Sequence, residues 1–207
     1  MALTIDSRLP LSLLQAVRHV DTPTGDDVDE AYLAELRNKR LGLTDTVHAQ
    51  IRRYADAVRR NQRTSHEEAT ALARLIGRRP DAEEIFRAAG RELAAQAYET
   101  LSPVTRRTVR VLPSLLARPM ALRQARRLAV RYVNGTVVRM GSSVLLQVPA
   151  TVTGEAGPRS IGCTLYESML KELMLLLVGS DGVVEHVRCS ERGEGRCEWR
   201  AEWRRRQ

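Results

Sequence analysis

Up to about residue 133, apolar residues recur every three or four positions, and beyond it they alternate or run together. In the first part Val47, Ile51, Tyr54 and Val58 fall on one face of a helix. Ser65 with Glu68 makes a capping-box pattern ahead of "ATALARLIG". Asp81 with Glu84 repeats it ahead of a longer helix whose Ile85, Ala89, Leu93 and Ala97 form an apolar stripe. "DDVDEAYLAELRNKRLG" predicts another helix, with acids at its start, Arg and Lys near its end and Gly42 as its stop. Pro103, Pro113 and Pro119 break residues 102–119 into short helices and turns, and "ALRQARRLAVRYV" is helical up to the turn signal Asn134-Gly135.

After that turn the period changes. "TVVRMG" and "SSVLLQVPATV" predict strands and "EAGPRS" a loop. "TLYESMLKELMLLLVG" predicts a buried helix with Leu165, Met169, Leu173 and Leu177 in register. "GVVEHVRC" predicts a strand and "SERGEG" a turn. In "RCEWRAEWR" Cys197, Trp199, Ala201 and Trp203 face one way, while Arg196, Glu198, Arg200, Glu202 and Arg204 face the other. The order predicts an α/β chain of the α+β type that ends in a β-hairpin with one buried face.

With 207 residues, 43% of them hydrophobic, the chain can bury a real core, as one domain with a helical extension or as two small domains. The net charge of +8 invites a nucleic-acid reading. Only Lys39 and Lys171 of the 33 basic residues are lysine, however, and arginines scattered over solvated helix faces account for such a bias. "EEATALARLIGRRPDAEEIFRAAG" has a helix-turn-helix outline, but its second helix opens on Asp81, Glu83 and Glu84, which repel phosphates. A DNA-binding regulator using residues 65–100 is thus the alternative function, and nucleic acid is not the expected partner. The N-terminus lacks the pattern of a signal peptide, and "LMLLLVG" is too short to span a bilayer. The expectation is a soluble cytoplasmic protein with no membrane partner. There is no phosphate loop, G-x-S-x-G, H-E-x-x-H or dinucleotide fingerprint, and His19, His48 and His66 lie in polar helical surroundings. No enzyme is expected.

The cysteines are the chemical signal. Cys163, Cys189 and Cys197 are odd in number and follow no secretion signal, which argues against a disulfide framework. Cys189 and Cys197 bracket a turn with Gly193 midway, and Cys163 precedes a helix that a loop could bring to the same point. Three thiolates with one imidazole or carboxylate would close a tetrahedral zinc site; the alternative is three small buried hydrophobes.

The stretch "CTLYESMLKELMLLLVGSDGVVEHVRCSERGEGRCEW" resembles the C-terminal part of the 4-vinyl reductase domain, found in bacteriochlorophyll-related proteins and in the sensor modules of phenol- and toluene-responsive activators. The family hallmark of a cysteine, a glycine four residues on, a cysteine four further and then an aromatic corresponds to Cys189, Gly193, Cys197 and Trp199. Its upstream cysteine with an aromatic nearby corresponds to Cys163 and Tyr166. The motif covers about residues 160–204, with a looser similarity of element order back to about residue 80. The resemblance implies a Bet3-like fold of trafficking-complex type over residues 79–207, helices on an antiparallel sheet; nothing in residues 1–75 matches it, and residues 1–78 are expected to form a helical N-terminal extension for homodimerisation or docking.

It also implies a structural zinc ion held by Cys163, Cys189, Cys197 and a carboxylate three residues before the middle cysteine. That position is His186, an equally good zinc ligand, with Glu185 beside it. An ideal strand puts Glu185 on the face of Cys189; a bend would put His186 there, and His186 is the preferred fourth ligand. By the same resemblance the protein binds or senses an apolar small molecule without enzymatic activity. The implied pocket lies between helix 164–178 and the sheet, lined by Leu146, Val148, Leu165, Met169 and Leu173. With aromatics at 4% of the chain, an aliphatic ligand fits better than a phenol. The sequence shows no ATPase module, so the expectation is that a signal passes through a partner protein or that the protein acts as a carrier. A pure interaction module without ligand is the third reading.

Overall fold

The computed structural model describes residues 3–22, 42, 44–111, 114–179 and 181–202. Strand β1 (Thr4–Asp6) leads into helix α1 (Arg8–Asp21). After α2 (Asp45–Arg59), strand β2 (Arg63–Ser65) pairs antiparallel with β1, Ile5 opposite Thr64. Next come α3 (His66–Ile76), α4 (Ala82–Glu99), α5 (Pro103–Val111) and α6 (Ser114–Val133). Strands β3 (Thr136–Met140) and β4 (Ser143–Val148) form a hairpin. Two short 3-10 turns, Gly154–Ala156 and Pro158–Cys163, precede α7 (Thr164–Val178), and the described chain closes with β5 (Val184–Arg188) and β6 (Cys197–Glu202). The second sheet has the order β3-β4-β6-β5, antiparallel throughout, so the last strand lies inside the sheet. The fold is mixed α/β, with helices and two antiparallel sheets, as the patterning predicts.

Helix α4 organises the core through extensive contacts with α1 and α7. Gly90 makes the α4–α7 approach possible, since a Cβ there would lie 2.1 Å from Ser168 Oγ and 2.2 Å from the Leu165 carbonyl oxygen. Leu9, Leu13 and Val17 of α1, Ile85 and Leu93 of α4, Leu165 and Leu173 of α7, and Val144, Leu146 and Trp199 of the sheet all belong to one buried cluster. Leu11, Leu14, Val47 and Tyr54 form a smaller cluster between α1 and α2. No helix among the described residues is long and apolar enough to cross a membrane.

Three local details differ from the patterning. Neither Ser65 nor Asp81 makes a side-chain cap: Ser65 is paired in β2, and the Asp81 carboxylate accepts from Arg79 instead. Helix α6 begins before Pro119, which lies within its second turn and there removes one i→i−4 backbone hydrogen bond. Glu198, on the outward side of β6, is nevertheless buried, where it accepts from Gln147 and Arg196. The helix predicted over "DDVDEAYLAELRNKRLG", Gly42 apart, and Trp203 lie outside the described residues.

Candidate metal centre

Cys163 ends the 3-10 turn that feeds α7, His186 lies in β5, Cys189 follows that strand and Cys197 opens β6. Three separate segments thus converge. The β5–β6 pairing sets His186 directly opposite Trp199 and Arg188 opposite Glu198, so β5 spends an extra residue, Val187, in a bulge. Because a strand alternates its faces, the bulge reverses parity. His186 and Cys189 therefore share the inner side, while Glu185 pairs with Arg200 on the outer side and forms an ion pair with it at 2.5 Å. The turn between the strands closes through Gly193 and Gly195, both with left-handed φ of 77° and 85° that glycine adopts without strain.

One ligand atom from each of Cys163, His186, Cys189 and Cys197 lies within 4.8 Å of the other three. A tetrahedral zinc with metal–sulfur bonds of about 2.3 Å sets its ligands roughly 3.8 Å apart, so the cluster needs only a small contraction to fit. The cysteines are buried and free of disulfides. His186 Nε2 is also buried and has no well-aligned hydrogen-bond partner, although it is close enough to Cys197 to favour that thiolate. A buried imidazole nitrogen without a partner costs stability unless something binds it, and a metal ion is what this donor set suits.

Hydrogen bonds around the sulfurs favour the thiolate at Cys197 and the thiol at Cys163. The bond shared with Cys197 pushes the Cys163 thiol up, helped by burial, and draws Cys197 down. Ser190 donates its N–H to Cys197 Sγ at 3.3 Å, and its Oγ lies 3.1 Å from the same sulfur. Ser160, held at a left-handed φ of 56°, places its Oγ 3.1 Å from Cys189 Sγ. The Cys189 N–H donates to Glu194 Oε2 at 2.6 Å, tightening the turn. The His186 ring stacks on Trp199 at 4.9 Å, and Trp199 on Tyr166 at 5.0 Å, so a ladder of three rings fixes the imidazole. Ser160 and Ser190 carried no recognisable sequence signal; the adjacency of Ser190 to Cys189 is the only hint.

The residues picked for an apolar pocket separate into two groups. Leu146, Val148 and Leu165 are core residues, exposed by no more than 1%. Met169 and Leu173 line a cavity of about 10 Å³ between α4, α6 and α7, together with Leu93, Ala94, Ala97, Leu128, Ala129 and Tyr132. That volume has room for roughly one water.

No protein-family model matches the chain, and no curated protein is similar enough to match it.

Proposed function

We propose that the protein is a non-enzymatic binding module of the 4-vinyl reductase type, stapled by a structural zinc ion. The observation that supports this is the convergence of Cys163, His186, Cys189 and Cys197, one donor atom each, within 4.8 Å. Zinc, when bound, would supply a cross-link between the β5–β6 hairpin and the start of α7. Four protein donors leave no open position for water, which favours a structural role over a hydrolytic one. The seam between α4, α6 and α7 is the proposed seat for an aliphatic ligand, because its lining, which includes Leu93, Leu128, Met169 and Leu173, is apolar. Helix α4, the core of the alternative DNA-binding region, buries one face along its length and opens on the exposed Glu83 and Glu84, so no observation favours that reading.

Native mass spectrometry of the purified chain with intact thiols tests the proposal. The expected spectrum shows one zinc per chain, lost in Cys197→Ser, with an apolar adduct as an additional mass. A metal-free chain that takes up no added zinc would refute the staple. A zinc-loaded chain that never retains an aliphatic adduct would refute the ligand seat alone.

A further inference from the structure

Nine of the 33 basic residues, all arginine, and none of the 25 acidic residues fall between Thr100 and Gly154. That segment carries +9, and the remainder, with 24 basic and 25 acidic residues, carries −1. The charge is therefore not scattered over solvated faces but concentrated in α5, α6 and β3, which pack one against the next. Concentrated like charge is self-repulsive, and an anionic partner relieves that repulsion.

Helix α6 presents the charge as a stripe. Arg123, Arg126, Arg127 and Val130 are exposed at helical spacing, whereas Ala121, Leu122, Ala125, Leu128 and Ala129 between them are buried. Arg126 Nε donates to the Val137 carbonyl at 2.9 Å, which ties the stripe to β3, an edge strand of the sheet. Farther along, Arg139 donates to the Gly141 carbonyl at 3.2 Å and lines a small cleft with Arg118. Carbonyls accept these hydrogen bonds without neutralising the guanidinium groups. Among the described residues Arg107, Arg123, Arg126, Arg127 and Arg139 have no carboxylate partner, whereas Arg131 has Asp6 at 3.8 Å.

What lies among the arginines decides the partner. Among the described residues, Val104, Val130, Val138 and Met140 are four of the nine large hydrophobic side chains left exposed, with exposures of 74%, 58%, 41% and 54%. The ring and the amide that α6 contains, Tyr132 and Gln124, are both buried. Nucleic-acid surfaces use exposed rings for stacking or amides for base edges. Guanidinium groups beside exposed aliphatics instead match the boundary between lipid headgroups and acyl chains. We propose that the α6–β3 face docks on the surface of an anionic phospholipid bilayer, with the arginines on headgroup phosphates and Val130 at the acyl boundary. Such docking needs no spanning helix, and it departs from the expectation of no membrane partner.

Co-sedimentation of the full chain with vesicles tests this, using phosphatidylcholine alone and phosphatidylcholine with one third phosphatidylglycerol, at low and high salt. Binding is expected only to the anionic vesicles and only at low salt. Each arginine at an anionic surface contributes about five-fold in partitioning, so R123Q/R127Q should bind roughly twenty-five-fold more weakly. R123E/R127E should bind more weakly still. Circular dichroism of these exposed-site variants should match that of the unsubstituted chain. R52Q/R60Q, which removes two exposed arginines of α2 and its C-cap, should bind normally. Absence of binding to anionic vesicles at low salt would overturn the proposal, as would an equal loss in R52Q/R60Q. Tighter binding to duplex DNA at matched phosphate concentration would overturn it in favour of a nucleic-acid surface.

Discussion

Replacing Gly162 with alanine tests how firmly the Cys163 arm of the cluster is held. An alanine Cβ at this position would lie 1.7 Å from the Thr153 carbonyl oxygen, whereas ordinary van der Waals contact begins at 3.4 Å. The two segments must then part by about 1.7 Å. Neither yields easily: Thr153 is fully buried, its hydroxyl donates to the Gly162 carbonyl at 2.5 Å, and the adjacent Val152 N–H donates to the Tyr166 hydroxyl at 2.9 Å. Gly162 has no left-handed φ, so collision and not backbone strain sets the cost. Overpacking costs about 1–3 kcal/mol and the displaced hydrogen bond about 1 kcal/mol more, giving roughly 2–4 kcal/mol. Cys163 is the next residue, and a site tolerates displacements of only about 0.5 Å. The required movement is about three times that tolerance, so zinc affinity should fall by about 10–100-fold, the range seen when ligand-orienting contacts are removed. Urea unfolding with a chelator present isolates the packing cost, and competition against a chelating dye reads the affinity. A variant within about 0.5 kcal/mol of the unsubstituted chain would refute the steric argument. Reduced stability with unchanged zinc affinity would refute the coupling between the turn and the site.

Four further outcomes are expected. Chelation should lower the melting temperature of the unsubstituted chain and leave that of Cys197→Ser unchanged, because the variant holds no metal to lose. Gly90→Ala would gain about 1 kcal/mol on an exposed helix but should lose about 1–3 kcal/mol here in urea unfolding, since Leu165 and Ser168 occupy the space. Asp21→Asn should cost about 3 kcal/mol by the same assay, because the buried carboxylate accepts from Arg79 at 2.6 and 3.0 Å and from the Gly42 N–H at 2.8 Å. Burial raises the pKa of Tyr54, whose hydroxyl donates to Glu68 at 2.7 Å. The folded chain then keeps this proton where the unfolded chain loses it, so the contribution is complete below about pH 10 and declines as pH rises further. Tyr54→Phe should flatten that alkaline slope in urea midpoints measured across it.

Elements with a single uninterrupted period could be read directly from the chain. The stripe of α7 and the alternation Cys197, Trp199, Ala201 in β6 survive intact because each element keeps one face on one core. The charged face was hidden for a different reason: total charge reports nothing about where acids are missing, and the gap between Thr100 and Gly154 has no period. The choice of His186 over Glu185 as fourth donor rests on a bend that simple alternation does not show, and the bend has its cause in a conflict within β5. Val184 must face inward opposite Ala201, and Cys189 must also be buried, yet they are five positions apart and an unbroken strand would turn one outward. Sliding the whole strand by one residue would expose Val184 and break the Glu185–Arg200 pair. Inserting Val187, which is 38% exposed, satisfies both demands at once. The same insertion keeps His186 opposite Trp199, where stacking holds its ring beside the sulfurs. The odd spacing of one inward residue in β5 and another just after it therefore encodes the bulge, and the bulge selects histidine over glutamate as the fourth donor of the cluster.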